Sequence, residues 1–305
     1  MWMILSSLFF AAMGVCIKYA AVAYTPAEMV FWRGIIGMVL LALLARQRGI
    51  ALRTRFPRMH ASRSLIGGLS LGSWFFAIVH MPLATAVTLN YMSSVWIAAF
   101  LVGGALLAWV PVPGRDGSEP APPFHLPLVL TVLAGFAGVV MILKPSAGEA
   151  GYGFAGIMGL LSGMLGALAY MQVIALSRVG EPEVRVVFYY ALASAIMGAV
   201  WVLFTGISPW SWDHAIWLLL VGVTAALAQL TLTRAYGEAT TQAATLVVAN
   251  LQYSGILFGA LFGVVLFGER IDLLGWIGIA LVIGSGIAAT ILRQRAVPKA
   301  PAEEH

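Results

Sequence analysis

The sequence predicts an all-α membrane protein whose ten transmembrane helices form two inverted five-helix repeats around a central cavity. Three observations predict it. Hydrophobic residues make up 61% of the 305-residue chain, charged residues only 10%, and the mean hydropathy is +0.94. No soluble domain of this size hides so much apolar surface, so the solvent is lipid. Apolar runs of about 20 residues, enough to cross a hydrocarbon core of about 30 Å, occur repeatedly along the chain. Finally, ATAVTLNYMSSVWIAAFLVGGAL (84–106) and ATLVVANLQYSGILFGALFGVVL (244–266) share eight identities at a shift of 160 positions, among them Asn90 with Asn250.

The first span, 2–23, lacks a preceding basic segment and is long enough to cross, so it is expected to stay as a helix despite AVA at 21–23. It holds Cys16, the single cysteine, which rules out a disulfide framework or a cysteine metal site. The second span, 26–46, opens on Pro26, where a missing N–H costs little. The third, 62–80, follows the basic connection RQRGIALRTRFPRMHASR, and the fourth, 84–109, follows Pro82. The fifth is 125–144, with Pro127 near its start, and the sixth is 152–177. The seventh, 182–206, opens on Pro182, and the last three are 212–233, 239–267 and 272–293. All 14 prolines fall in connections or at helix ends, so no proline-broken helix is expected.

PVPGRDGSEPAPPFH, residues 111–125, splits the spans five and five. Five is odd, so the second set enters the membrane upside down relative to the first. Residues 1–110 then hold helices 1 to 4 of the first repeat, 111–124 a cytoplasmic linker and 125–150 its fifth helix. The second repeat is 151–293, and 294–305 is a cytoplasmic tail. Orientation follows the basic residues, which favour the cytoplasmic side. Arg46, Arg48, Arg53, Arg55, Arg58, Arg63, Arg115, Arg178, Arg185, Arg234, Arg293, Arg295 and Lys299 fall on one side, Lys144 and Arg270 on the other. Both termini are therefore expected to be cytoplasmic. The sequence pI near 9.6 reflects this topology and not nucleic-acid binding.

GYGFAG (151–156) fits G-x-G-x-x-G, but it opens an apolar helix with no strand before it, so it is no dinucleotide site. His60, His80, His125, His214 and His305 show no ligand spacing. No Walker A, H-E-x-x-H or nucleophile-elbow sequence occurs. The expectation is neither an enzyme nor, alone, an ATP-driven pump, with no cofactor and no metal.

Polar side chains inside a bilayer are costly and are functional candidates for that reason. Lys18 and Arg33 fall at comparable depth in the first two spans, with Glu28 the acid nearest to both. Their positive excess suits a substrate bearing a carboxylate or phosphate. The competing reading has Lys18 snorkelling to the interface and Arg33 paired structurally with Glu28. Asn90 and Asn250, with Tyr91, Ser94, Gln252 and Tyr253 beside them, lie on equivalent helices that would both face a midplane cavity. The alternative is interhelical glue, worth about 0.6 kcal/mol per contact. Trp74, Tyr170, Gln172, Tyr189 and Gln229 are further candidates for the lining. Trp2, Trp210, Trp212 and Trp276 read as interfacial anchors. Gly255, Gly259 and Gly263, like Gly68 and Gly72, form close-packing stripes that serve either the bundle or a homodimer.

FFAAMGVCIKYAAVAYTPAEMVFWRG (9–34) and LQYSGILFGALFGVVLFGER (251–270) resemble the EamA-type transporters of the drug/metabolite transporter superfamily. FWR, with Arg33, and FGER, with Glu269, are the most specific pieces. The resemblance covers essentially the whole chain. It implies ten helices from a duplicated five-helix unit, cytoplasmic termini and a central substrate cavity. Many such proteins carry a proline in helices 4 and 9, where this chain has NYMSSVW and NLQYSGI, which makes Gly255 the expected flexible point. Many also end helix 4 on Gly-Glu, where this chain reads LLAWVPVPG. The expected activity is secondary transport of a small organic metabolite across a bacterial inner membrane, with amino-acid export foremost. Import of a vitamin or nucleotide derivative, such as riboflavin or S-adenosylmethionine, is the alternative, and a non-transport membrane subunit comes after it. Expected partners are the substrate and membrane lipids, and the protein is expected as a monomer or homodimer.

Overall fold

The structure, a computed structural model, describes residues 1–93, 95–96, 99–100, 126–143 and 153–296. The helices are α1 (Trp2–Ala20), α2 (Pro26–Gln47), α3 (Pro57–His80), α4 (Leu83–Asn90) and α5 (Leu126–Leu143) in the first repeat. The second holds α6 (Gly153–Arg178), α7 (Glu183–Thr205), α8 (Trp212–Glu238), α9 (Gln242–Leu251), α10 (Ser254–Phe267) and α11 (Leu273–Ala296). Ser94, the 111–124 linker with Arg115, His125, Lys144 and residues 297–305 with Lys299 and His305 lie outside the described residues. Among the described residues, eight helical stretches are long and apolar enough to cross a membrane, and Val129–Leu143 is a shorter apolar helix.

Helix starts follow local chemistry. Thr25 caps α2 by accepting from the Glu28 N–H at 3.3 Å, while Glu28 accepts from the Thr25 N–H at 2.8 Å. This capping box satisfies two backbone donors that a helix start leaves free. Thr241 caps α9 in the same way, accepting from the Ala244 N–H at 3.1 Å. The third span begins five residues before its expected start of 62, because Pro57 occupies the first helical turn. Its basic first turns read as loop in the sequence. The correction carries Arg63 out of the connection and into a buried turn of α3.

Spans four and nine, expected as continuous helices, are both interrupted just beyond their asparagines. The chain turns at Tyr91–Met92 and again at Gln252–Tyr253. Around these turns the backbone tightens to i→i+3 bonds, Met92 N–H to Leu89 O and Tyr253 N–H to Asn250 O. No proline is involved, so neighbouring helices must hold the irregular backbone. Ser7 of α1 donates to Gln252 O at 3.2 Å, and Gly163 of α6 leaves room for the Leu89 and Asn90 carbonyls.

Exchanging each helix for its counterpart in the other repeat reproduces the pattern of neighbours. The counterparts α2 and α7 pack together, as do α5 and α11. Helix α1 on α8 mirrors α6 on α3, and α1 on α10 mirrors α6 on α4. A twofold axis in the membrane plane produces this reciprocity. Glycines let the helices approach. A Cβ on Gly34 would collide with the backbone of Ala195, and one on Gly198 with that of Phe31. The Gly255, Gly259 and Gly263 stripe faces Tyr91, Val87 and the Ala84 N–H across the span 4–9 crossing, inside the bundle. Outward-facing Val39, Leu43, Ile196, Val200, Leu203, Leu257 and Leu261 form the apolar surface that lipid covers.

Candidate functional site

Helix α3 supplies one wall of a central cavity. Arg63, Gly67, Ser70, Leu71 and Trp74 recur at helical spacing along one face, so they line the space together. Asn90 and Tyr91 enter from the interruption of span four, Gly166, Ala169 and Tyr170 from α6, Phe10 from α1, Tyr190 from α7 and Gln229 from α8. The chamber has a cavity volume of about 40 Å³. That is room for a few waters and defines a contracted, polar and aromatic chamber.

Its dominant electrostatic feature is Arg63, which is 3% exposed. The guanidinium lies 4.2 Å from the ring centroid of Tyr190 and donates from Nη2 to Gln229 Oε1 at 3.4 Å, while Nε and Nη1 have no partner. The Tyr190 hydroxyl donates to Gly67 O at 3.0 Å, which fixes that ring. Among the described residues no carboxylate lies within ion-pair distance of Arg63. Insertion scales place an arginine at a helix centre at about +2.5 to +3.5 kcal/mol, a ceiling for Arg63, which lies about one and a half turns inside α3. A cation–π contact recovers only about 0.5 to 2 kcal/mol. Aromatic packing alone therefore leaves this charge undercompensated.

Arg33, also 3% exposed, stands in a second and smaller recess. It lies 5.0 Å from the same Tyr190 ring and donates from Nη1 to Ser194 Oγ at 3.1 Å, leaving Nε without a partner. Tyr190 and Gln229 border both spaces and form the partition between them.

Five of the candidates from the sequence, Trp74, Asn90, Tyr91, Tyr170 and Gln229, come together at the main chamber. Asn90 Nδ2 donates to Ser162 Oγ at 3.0 Å, and Trp74 packs edge-on to Phe10 with its indole N–H unpartnered. Gln252 stands close by, its Oε1 accepting from the Tyr236 hydroxyl at 3.4 Å and its Nε2 unpartnered. Others lie elsewhere. Asn250 does not line the chamber, and Tyr253 packs against Gly286 of α11. Gln172 donates to Ser62 Oγ at 3.0 Å, and Tyr189 lies tilted against His60 with centroids 4.6 Å apart. Arg33 occupies the second recess.

The expected nearness of Glu28 to Lys18 and Arg33 does not hold, because both of its oxygens are used elsewhere. Glu28 accepts from Thr25 and, across the repeats, from Ser208 N–H and Oγ at 2.8 and 2.7 Å. Lys18 instead pairs with Glu269 at 3.1 Å, and Glu269 also accepts from the Leu83 and Ala84 N–H groups at the start of α4. At the opposite end of the bundle Glu181 accepts from Thr54 Oγ1 at 2.9 Å, Arg185 Nη1 at 3.1 Å and His60 Nε2 at 3.3 Å. Burial would raise the Glu181 carboxyl. The bonds from Thr54, Arg185 and His60 outweigh it and hold the group below its ordinary range.

Sequence reasoning missed Arg63, Tyr190 and Ser162. Tyr190 had a signal, since Val187, Tyr190, Ala191 and Ser194 repeat at i, i+3, i+4 and i+7, the spacing of a buried face, with Tyr189 off it. For Arg63 the signal was Pro57, a natural first residue of a helix.

Residues 1–104 match the EamA-like transporter family. Over 286 residues the chain is 32% identical to the pseudopaline exporter CntI of Pseudomonas aeruginosa strain UCBPP-PA14, covering 93% of each protein. It is 26% identical over 291 residues to a riboflavin transporter of Rhizobium johnstonii, covering 94% of this chain and 89% of that one. A crystal structure of a protein superposes with a TM-score of 0.64 at 20% identity over 96% of both chains, which shows a common fold. The apolar helices and the transporter relatives together describe a multi-pass bacterial membrane protein. Identity at this level over nearly the whole of both chains reflects common descent, and the protein belongs to the EamA-type transporters of the drug/metabolite transporter superfamily.

Proposed function

We propose that this protein exports amino acids or amino-acid-like metabolites across the bacterial inner membrane by alternating access, with both termini on the cytoplasmic side. Transport of a small metabolite is the common property of its named relatives. The observation that carries the finer reading is Arg63, a buried cation with two unpartnered N–H donors on the border of a chamber of amides, hydroxyls and rings. A substrate carboxylate supplies the missing acceptor in charge-assisted bonds. The rings of Phe10, Trp74, Tyr91 and Tyr170 accept an apolar or aromatic side chain. Because the chamber is contracted, the halves must separate around it to admit a metabolite. Guanidinium, amide and hydroxyl lining suits exchange or facilitated diffusion.

Uptake and efflux of labelled amino acids in proteoliposomes test this reading. Wild-type protein moves an amino acid, and Arg63→Gln lowers the rate about 10- to 100-fold, the loss expected for a charged hydrogen bond of about 1.5–3 kcal/mol. A protein that moves no amino acid in either direction ends the export reading. The ring-rich lining favours a second reading, uptake of a flat heteroaromatic vitamin. Riboflavin transport that survives Arg63→Gln would select it.

A further inference from the structure

Arg63 and Arg33 share one tyrosine, and neither has a carboxylate partner among the described residues. Both are 3% exposed, and together they leave three N–H donors without acceptors, Nε and Nη1 of Arg63 and Nε of Arg33. Their guanidinium carbons lie 4.2 Å (Arg63) and 5.0 Å (Arg33) from the centroid of the same Tyr190 ring, so both cations flank one side chain. The recess at Arg33 has a cavity volume of only about 10 Å³ and is divided from the main chamber by side chains, Tyr190 and Gln229, so it too must widen to take a carboxylate. Movement of Gln229, held among the described residues only by the 3.4 Å contact to Arg63, would join the two spaces while Tyr190 stays fixed. A single carboxylate on Arg63 leaves the second buried cation beside it with only the neutral Ser194 hydroxyl and with Nε still lacking an acceptor.

We propose that the transported substrate carries two carboxylates, one bound by Arg63 in the chamber and the second by Arg33 beyond the Tyr190–Gln229 partition. This rests on the chamber being the transport site. Arg63 then sets whether a substrate binds, and Arg33 sets the preference between substrates with one and two carboxylates. Tyr190 positions both guanidiniums, and Ser194 holds Arg33 at the edge of the recess.

The test is counterflow of labelled glutamate and labelled leucine in proteoliposomes holding the full chain as wild type, Arg63→Gln, Arg33→Gln and Arg33→Lys. Wild type favours glutamate about tenfold or more. Arg63→Gln depresses both substrates. Arg33→Gln lowers glutamate transport at least tenfold more than leucine transport, and Arg33→Lys restores part of the difference. Equal losses for the two substrates in Arg33→Gln, or a wild type that prefers leucine, overturn the two-carboxylate assignment while leaving amino-acid transport intact. A wild type that moves neither substrate overturns the underlying reading as well. Should the Arg33 variants not fold, thermal shifts of the wild type at equal ionic strength decide. Glutarate raises the midpoint by at least twice as much as butyrate or chloride, and equal shifts from the three overturn the assignment.

Discussion

The ends and the centre of this bundle treat buried charge in opposite ways. At the ends, three carboxylates are satisfied by groups from both repeats. Glu28 joins α2 to Ser208, Glu181 joins the α6–α7 connection to Thr54 and His60, and Glu269 joins the end of span nine to Lys18 and the first turn of α4. At the centre, Arg63 and Arg33 have a shared ring, weak neutral partners and unused donors. A charge whose bonds are all made internally resists displacement, whereas a charge left short of acceptors gains by meeting a ligand. The ends therefore staple the halves together and the centre waits for something anionic. In an alternating-access cycle the staples at one end must release while those at the other hold.

The largest effect tests the centre. Arg63→Gln loses transport as stated above, yet its thermal midpoint in detergent stays level or rises, because an undercompensated charge has been removed. A midpoint that falls by several degrees would make Arg63 a structural residue, and the contrast with the ends would disappear.

The next tests an end. Glu269→Gln removes the charge that meets Lys18 and weakens the acceptor for the Leu83 and Ala84 N–H groups. Losing a cap and a charged hydrogen bond together costs about 1–3 kcal/mol. A thermal or denaturant scan should show a clear loss of stability, and an unchanged profile would remove Glu269 from the staples.

A smaller, pH-dependent effect belongs to Glu181. Its folded pKa is lowered, since the bonds from Thr54, Arg185 and His60 outweigh burial, so the unfolded chain takes up its proton first as pH falls. The stabilisation is fully present above the ordinary carboxylate pKa and is lost as pH falls through the folded value. The thermal midpoint of wild type should decline on acidification below about pH 4.5. Glu181→Gln should start lower at neutral pH and decline less over the same range. Parallel curves for the two proteins would show that Glu181 carries no such linkage.

Helical class, repeat and inverted packing were legible because lipid demands long apolar runs and a duplication leaves matched strings such as those around Asn90 and Asn250; of the ten expected spans, eight and a shorter apolar helix stand among the described residues. What escaped was of two physical kinds. Arg63 sits one and a half turns inside a helix whose first turns are basic, and basic residues in a loop and at a helix end look alike in composition. Lys18 was set beside Glu28 because they are near in sequence, whereas its partner Glu269 arrives from the far repeat and only tertiary folding brings it there. The helix interruptions lacked the usual proline. They are held by Ser7 and by the gap at Gly163, contacts that no local pattern announces. Gly255, the expected flexible point, follows the second interruption by two residues, where the Tyr91 ring of the first interruption rests against it.

The smallest effect separates the two asparagines that make the repeat visible. Asn90 borders the chamber and donates to Ser162, whereas Asn250 lies off its lining with Oδ1 unpartnered, and Gln252 stands nearer the chamber on that side. Twofold symmetry thus relates the backbones more closely than the side chains. A hydrogen bond between membrane helices is worth about 0.6 kcal/mol on average, so neither alanine variant should unfold the protein. Asn90→Ala removes a polar group from the chamber and should lower transport about three- to tenfold, with expression near normal. Asn250→Ala should stay within about twofold of wild type, within the range of one weak glue contact. Equal transport losses in the two variants would mean that the second interruption turns its asparagine into the chamber in another state of the cycle, and the asymmetry would belong to this conformation alone.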